Sequence, residues 1–136
     1  MLAGRGPDEA RLRARAAESK VPVRFVISPS DELLRSLMQH ARLYVFPAVE
    51  DFGIMPVEAI ALGTPSLVNA VGGAQESVTM TSGGMTAAPE DRQGWREAAT
   101  AAMDLDMAQA MSASRAFSIR AFDAKIRAWI GGHLAE

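Results

Sequence analysis

The sequence contains no cysteine and only two histidines, His40 and His133. A disulfide scaffold, a thiol nucleophile and a thiolate zinc or iron–sulfur site are excluded, and a histidine-based metal centre has too few ligands. Charge of one sign is also missing. The formal net charge of −2 at pH 7 leaves no basic footprint for nucleic acid and no polybasic patch for a membrane. No apolar run approaches the ~18 residues of a membrane span. Met1-Leu2-Ala3-Gly4 is too short for the apolar segment of a secretory leader. These absences predict a cytoplasmic protein that could meet a membrane only through a partner. What is present is ordinary globular material: 136 residues, 49% hydrophobic and 22% charged, enough for one domain with a buried core.

The chain alternates short β-branched runs with helical patterns. Helix-forming sequence from Arg11 to Ser19 is led in by Pro7, Asp8 and Glu9. Val21 to Ile27 reads as a buried strand. Ser30 caps a helix whose Leu33, Leu34, Leu37, Met38 and Ala41 recur on one face, predicted to be buried. Leu43 to Phe46 is a strand stopped by Pro47, and Ile54 to Leu62 is a helix closed by Gly63-Thr64-Pro65. Ser66 to Asn69 is a further strand, Gly72-Gly73 opens a short helix, and Gly84 to Ala88 is a weak strand. Beyond Asp91 helices run to Leu134, with breaks near Asp104–Asp106 and Ser114–Ser118. The last of them carries Phe122, Ile126, Trp129 and Ile130 on a common face. Strands separated by helices, with no hairpin signal, predict an α/β fold: a Rossmann-like parallel sheet covered by helices on both faces. Leu2-Ala3 running into Gly4-Arg5-Gly6-Pro7 reads as the tail of a strand, so the chain is expected to be truncated at its N-terminus.

In open parallel sheets ligands bind where strand C-termini meet helix N-termini. The richest such place is the loop from Phe46 to Glu58. Gly53 there would let a ligand approach the backbone without a Cβ in the way. The free amides of the following helix favour a phosphate or a polarised hydroxyl. Glu50 precedes the helix and Glu58 lies about a turn inside it. At 1.5 Å rise per residue their carboxylates would be about 7 to 12 Å apart, which suits two acids gripping different parts of one elongated ligand. A carboxylate accepting from neighbouring hydroxyls is a natural recogniser of a sugar diol.

The stretch from Val49 to Pro65, VEDFGIMPVEAIALGTP, resembles the signature of retaining family-four glycosyltransferases of the GT-B fold. In that signature two glutamates bracket an aromatic-Gly pair and an E-A-x-A-x-G-x-P tail follows. Gly4, Gly6 and Pro7 are similar to its G-x-G-P turn, Phe25 to Leu33 to its strand and S-D-E-L helix start, and Gly72 to Val78 to its G-G-x-x-E-x-V segment. The resemblance implies the donor-binding C-terminal half of a two-lobed enzyme, with a nucleotide-diphospho-sugar as co-substrate. It puts Glu50 at the catalytic position on the donor-sugar hydroxyls and brings the backbone of Phe52, Gly53 and Ile54 to sugar and diphosphate. It sets Glu58 on the ribose and the base near Val26, Ile27 and Ser28. Retaining hexosyl transfer to a glycan or lipid acceptor is implied, with no metal and no other cofactor, in polysaccharide or glycolipid synthesis.

Ile27 stands where that family usually has a glycine. The Arg and Lys that neutralise the family's diphosphate lie upstream of this chain, and Arg5 is in a different place. The acceptor lobe with its usual histidine is missing too, so the isolated chain is expected to be inactive and to self-associate through uncovered apolar surface. A full-length enzyme could lie peripherally on a membrane. The alternative is a non-catalytic α/β interaction module that keeps the fold without the donor. Simpler roles fit other residues. Glu76 orders its own turn, Gly72 and Gly73 are turn residues, and His40 and His133 are solvated or capping. The methionines and Trp129 are core or interface material. Glu58, read as lying beside apolar Ile54, Val57 and Ala61, would need a partner for its charge.

Overall fold

The computed structural model describes residues 1–133, and the chain divides into two compact units, residues 1–37 and residues 38 onward. In the first, strand β1 (Leu2–Ala3) pairs in parallel with β2 (Phe25–Val26), in the register Leu2 to Phe25 and Ala3 to Val26. Between them lies helix α1 (Glu9–Ala17), which begins two residues earlier than its pattern suggests. Ion pairs Arg11–Asp8 at 2.6 Å and Arg13–Glu9 at 2.8 Å lie on its surface and contribute little. The Arg13 guanidinium sits 4.5 Å over the Phe25 ring, so this cation also covers the strand. The strand expected over Val21–Ile27 contracts to Phe25–Val26. Its partner β1 offers only two residues, and Pro22 has no N–H to give a ladder.

Helix α2 (Asp31–Gln39) starts where Ser30 Oγ accepts the Leu33 amide at 3.2 Å, as its capping position suggested. Its apolar face is another matter. Of Leu33, Leu34, Leu37, Met38 and Ala41, only Met38 is buried, and Leu33 stays 44% exposed.

The second unit is built on three parallel strands in the order β3 (Tyr44–Phe46), β4 (Ser66–Asn69), β5 (Gly84–Ala87). Pairing thus falls into two parallel ladders rather than the single sheet expected from the pattern. Helices α3 (Ile54–Ala61), α4 (Ala74–Thr81), α5 (Arg92–Met103) and α6 (Met107–Ala113) follow the strands. A 3₁₀ turn (Ser114–Phe117) then leads into α7 (Ile119–His133). Central strand β4 is buried at all four positions, because both its neighbours pair with it. The core cluster joins Ile60, Val68, Ala74, Val78 and Ala110, with Phe46 and Met107 packed against it. Fully burying each of Ile60, Leu67 and Val68 is worth about 1.5–3 kcal/mol relative to leaving it in water.

Polar groups taken into this core are satisfied. Thr64 Oγ1 donates to the Met38 carbonyl at 2.6 Å, and Ser66 Oγ donates to the Pro56 carbonyl at 3.1 Å. Gly63 ends α3 at φ 87°, the left-handed conformation its place after the helix foretold. In α7 the expected apolar face forms, yet Phe122, Ile126, Trp129 and Ile130 are all exposed, so Trp129 is not core. His133 Nδ1 lies 2.8 Å from the Trp129 carbonyl, in keeping with a capping role at the helix end. Leu134, where that helix was expected to end, lies outside the described residues.

The turn between β2 and α2 places Ser28 at φ 48°. A left-handed residue with a Cβ costs about 1–2 kcal/mol, whereas glycine there loses about 0.4–1 kcal/mol through the unfolded chain. Ser28→Gly should therefore stabilise the protein by about 0.5 kcal/mol, read as a raised urea midpoint at unchanged slope. A lowered midpoint would refute the strain.

Candidate functional site

The loop Pro47–Gly53 carries the chain from the end of β3 to the start of α3, and short polar contacts from the end of β4 and from α4 hold it along its length. Asn69, at the C-terminal end of β4, donates through Nδ2 to the Pro47 carbonyl at 3.1 Å. Its Oδ1 accepts the Val71 amide at 2.9 Å, so one side chain ties together the loops that leave two neighbouring strands. Further along, the Gly73 amide donates to the Glu50 carbonyl at 2.6 Å, and Ser77 Oγ donates to the Phe52 carbonyl at 3.1 Å.

The glycines explain how close these segments come. A Cβ on Gly73 would fall onto the Asp51 carbonyl, and one on Gly72 would stand 2.6 Å from the Glu50 carbonyl oxygen. Gly53 adopts φ 75°, and a Cβ there would lie 2.7 Å from the Cβ of Ala74. The expectation that Gly53 leaves space for a ligand is corrected here. Ala74 fills that space, because α4 begins directly against the loop, and Gly53 serves the fold through its conformation and this contact. The pair Gly72-Gly73 likewise permits close approach of protein backbone.

Helix α3 buries Pro56, Val57, Ala59 and Ile60 and leaves Ile54, Glu58 and Ala61 outward. Glu58 is thus not beside the core, and its charge, exposed to water, needs no protein partner. The buried stripe passes through Val57, whereas Ile54 is 60% exposed and shares the open face with the glutamate. Glu50, Asp51 and Phe52 are exposed as well, and Glu76 stands exposed in the first turn of α4.

The Glu50 and Glu58 carboxylates nevertheless both act on one group, Tyr44. The phenol of Tyr44 on β3 is pushed up to about 12, first by partial burial, then by the Glu50 carboxylate, then by that of Glu58. Both acids raise the cost of a third negative charge at one hydroxyl, so their fields overlap there. Carboxylates can take up hydroxyl donors, and the N-terminal amides of α3 lie between the two acids in the chain. Phe52 also contacts Phe117 of the 3₁₀ turn edge-on, with ring centroids 5.9 Å apart.

Val26 and Ile27 belong to the first unit. Val26 is half-buried in the β1–β2 pair, and Ile27 is exposed. Ile27 lines an open cavity of about 350 Å³ together with Gly4, Gly6, Pro7, Leu12 and Phe25. Nothing lies within 4 Å of a Cβ built on Gly4 or Gly6, in contrast to Gly53 and Gly73. The backbone of the G-x-G-P turn is therefore the one of these glycine segments that is open. Sequence reasoning had assigned no site role to Asn69, Ser77, Ala74 or Tyr44. A short polar residue at a strand end beside Gly-Gly was the available signal for Asn69.

Residues 1–117 match the family described as Glycosyl transferases group 1. The chain belongs to this family. It is 33% identical over 118 residues to a glycogen synthase of Mycobacterium tuberculosis, covering 85% of this chain and 28% of that protein. It is 35% identical over 77 residues to a D-inositol 3-phosphate glycosyltransferase of Corynebacterium urealyticum, covering 56% of this chain and 18% of the relative. A Neurospora crassa alpha-1,3/1,6-mannosyltransferase is 37% identical over 76 residues, covering 55% and 16%. The family match includes the whole Pro47–Glu58 segment and the glycine pair that braces it. The α/β architecture with parallel strands accords with a Rossmann-like lobe of this glycosyltransferase family.

Tyr44 is the single tyrosine of the chain, so its ionisation can be followed directly by absorbance. The midpoint should lie near 12, and Glu50→Gln and Glu58→Gln should each lower it, the first by more. The sign follows from linkage. The unfolded phenol loses its proton near pH 10 and the folded one near 12, so folding stability should fall as pH rises between them. A midpoint near 10 that neither variant moves would show that the two carboxylates do not share this hydroxyl.

Proposed function

We propose that this chain is the donor-binding half of a glycosyltransferase and takes a nucleotide-diphospho-sugar. The observation that carries the reading is the braced loop itself. Two outward carboxylates flank a helix start on a backbone held by Asn69, Gly73 and Ser77, and their fields converge on Tyr44. Glu50 accepts from donor-sugar hydroxyls and is the residue at the catalytic position. The exposed residues Phe52 and Ile54 on either side of Gly53 face sugar and diphosphate, and Glu58 accepts from the ribose. Val26 and Ile27 belong with the base.

Transfer of a hexose to a glycan or lipid acceptor then proceeds with retention and without metal or other cofactor. Diphosphate charge is balanced by helix amides and by cations outside this chain. Two relatives' names, a mannosyltransferase and a 2-deoxystreptamine glucosyltransferase, agree with a hexosyl donor. The chain spans about a quarter of the length of the glycogen synthase it matches, so acceptor binding and turnover are assigned to a lobe beyond these residues. Cytoplasmic action is the accompanying proposal, with any membrane contact peripheral and made by the larger enzyme.

Titration with UDP, GDP and ADP tests the donor reading. One of the three should shift NMR resonances in the Glu50–Glu58 segment. Glu58→Ala should weaken that binding by about 1–3 kcal/mol, the scale of hydrogen bonds to a charged group. No perturbation by any nucleotide at millimolar concentration would leave the chain as a non-catalytic interaction module.

The uncovered row of Ile119, Phe122 and Trp129 on α7 supports a further part of the reading, association of the isolated chain with itself. Sedimentation velocity should show concentration-dependent dimers or larger species, diminished by Trp129→Ser. A concentration-independent monomer would contradict this.

A further inference from the structure

Main-chain bonds and Ser77 hold the loop Glu50–Gly53 from the side of β4 and α4. On its other side the loop has one ring contact, Phe52 against Phe117, at 5.9 Å between centroids and 68° between planes. Phe52 is 52% exposed, so without that partner its ring has little to define its rotamer. Phe117, by contrast, sits on a firm base. Its 3₁₀ turn packs on α3 and α6, Ser114 is buried, and Ser114 Oγ donates to the Met111 carbonyl at 2.8 Å. The edge-to-face geometry directs the hydrogens of one ring at the electron-rich face of the other, which fixes orientation as well as distance.

We propose that Phe117 is a positioning residue for the Glu50–Gly53 loop: by clamping Phe52 it sets the backbone that carries Glu50. The inference deepens the donor-binding reading and rests on it for its functional consequence. The Gly73 and Ser77 bonds hold the carbonyls of Glu50 and Phe52 from the α4 side and leave the Phe52 side chain unheld. A ring held edge-on supplies that second point of attachment. Phe117 touches no ligand in this arrangement and acts only through Phe52.

The test uses the whole chain as it stands and three forms: wild type, Phe117→Ala and Phe117→Trp. The first readout is hydrogen exchange at the Gly73 amide, which reports the loop through its bond to the Glu50 carbonyl. Exchange at Leu67 and Val68 in the central strand serves as the global reference. Phe117→Ala should accelerate Gly73 several-fold beyond any change at Leu67 and Val68, and Phe117→Trp, which keeps an aromatic edge, should restore it. The second readout is affinity for whichever of UDP, GDP and ADP binds the wild type. It should fall roughly 2- to 10-fold in the alanine variant, as expected for loss of one aromatic pair. Unchanged exchange at Gly73 overturns the proposal. So does acceleration spread evenly over Gly73, Leu67 and Val68, which would make Phe117 a stability residue only, and so does a selectively loosened loop with unaltered nucleotide affinity. If the wild type binds none of the nucleotides while Gly73 alone loosens, the clamp stands and the donor reading fails.

Discussion

One main-chain contact organises the second unit. The Gly73 amide meets the Glu50 carbonyl at 2.6 Å, and no side chain larger than hydrogen fits between the two segments. From that contact the rest follows in order. Glycine is required at 73, α4 must begin at once, and Ala74 comes to rest against Gly53. Gly53 is then held in a left-handed conformation that turns the chain into α3. The loop that bears the acidic residues is thereby stiff where it touches protein and open where its carboxylates point.

This division of labour matters for chemistry. A site that must recognise hydroxyls gains when its acceptors need no rearrangement on binding, since ordering entropy is then spent in folding. Here the order comes from Asn69, Gly73 and Ser77, none of which is acidic and none of which needs to touch a ligand. Glu50 in the loop and Glu58 on the exposed face of α3 remain solvated and carry no burden in the core. Partial burial, and after it the two carboxylates, push the Tyr44 phenol further above its ordinary value, and as a neutral hydroxyl it can both donate and accept.

Membership of the glycosyl transferases group 1 family attaches this loop to a chemistry, while the reading of individual residues rests on their placement. The two glycine segments illustrate the difference. Both look alike as sequence, but the space above Gly73 is filled by the Asp51 backbone, whereas the space above Gly4 and Gly6 is empty and borders a cavity with Ile27. A glycine marks close approach; what approaches is decided elsewhere in the chain.

Much was legible in the residues alone. Strand β4 falls on the stretch Ser66–Asn69 read as a strand, Gly63 ends α3 as its place before Thr64-Pro65 demanded, and the breaks near Asp104 and Ser114 separate real helices. These features depend on local conformational preference and hydrophobic period, which the sequence carries directly. Burial was not legible in the same way. Leu33 and the aromatic row of α7 have the right spacing for a covered face and are exposed, and the strand drawn over Val21–Ile27 shrank to the two residues its partner could pair. Glu58 seemed to border the core and instead faces water, because helical periodicity defines a face without saying which face the sheet will take. Order along the chain, the glycine positions and the paired acids were thus written in the sequence. Tertiary contact alone decided that Ala74 fills the gap over Gly53, that Asn69 and Ser77 brace the loop, and that both glutamates bear on one tyrosine, since each joins residues whose nearness no local preference encodes.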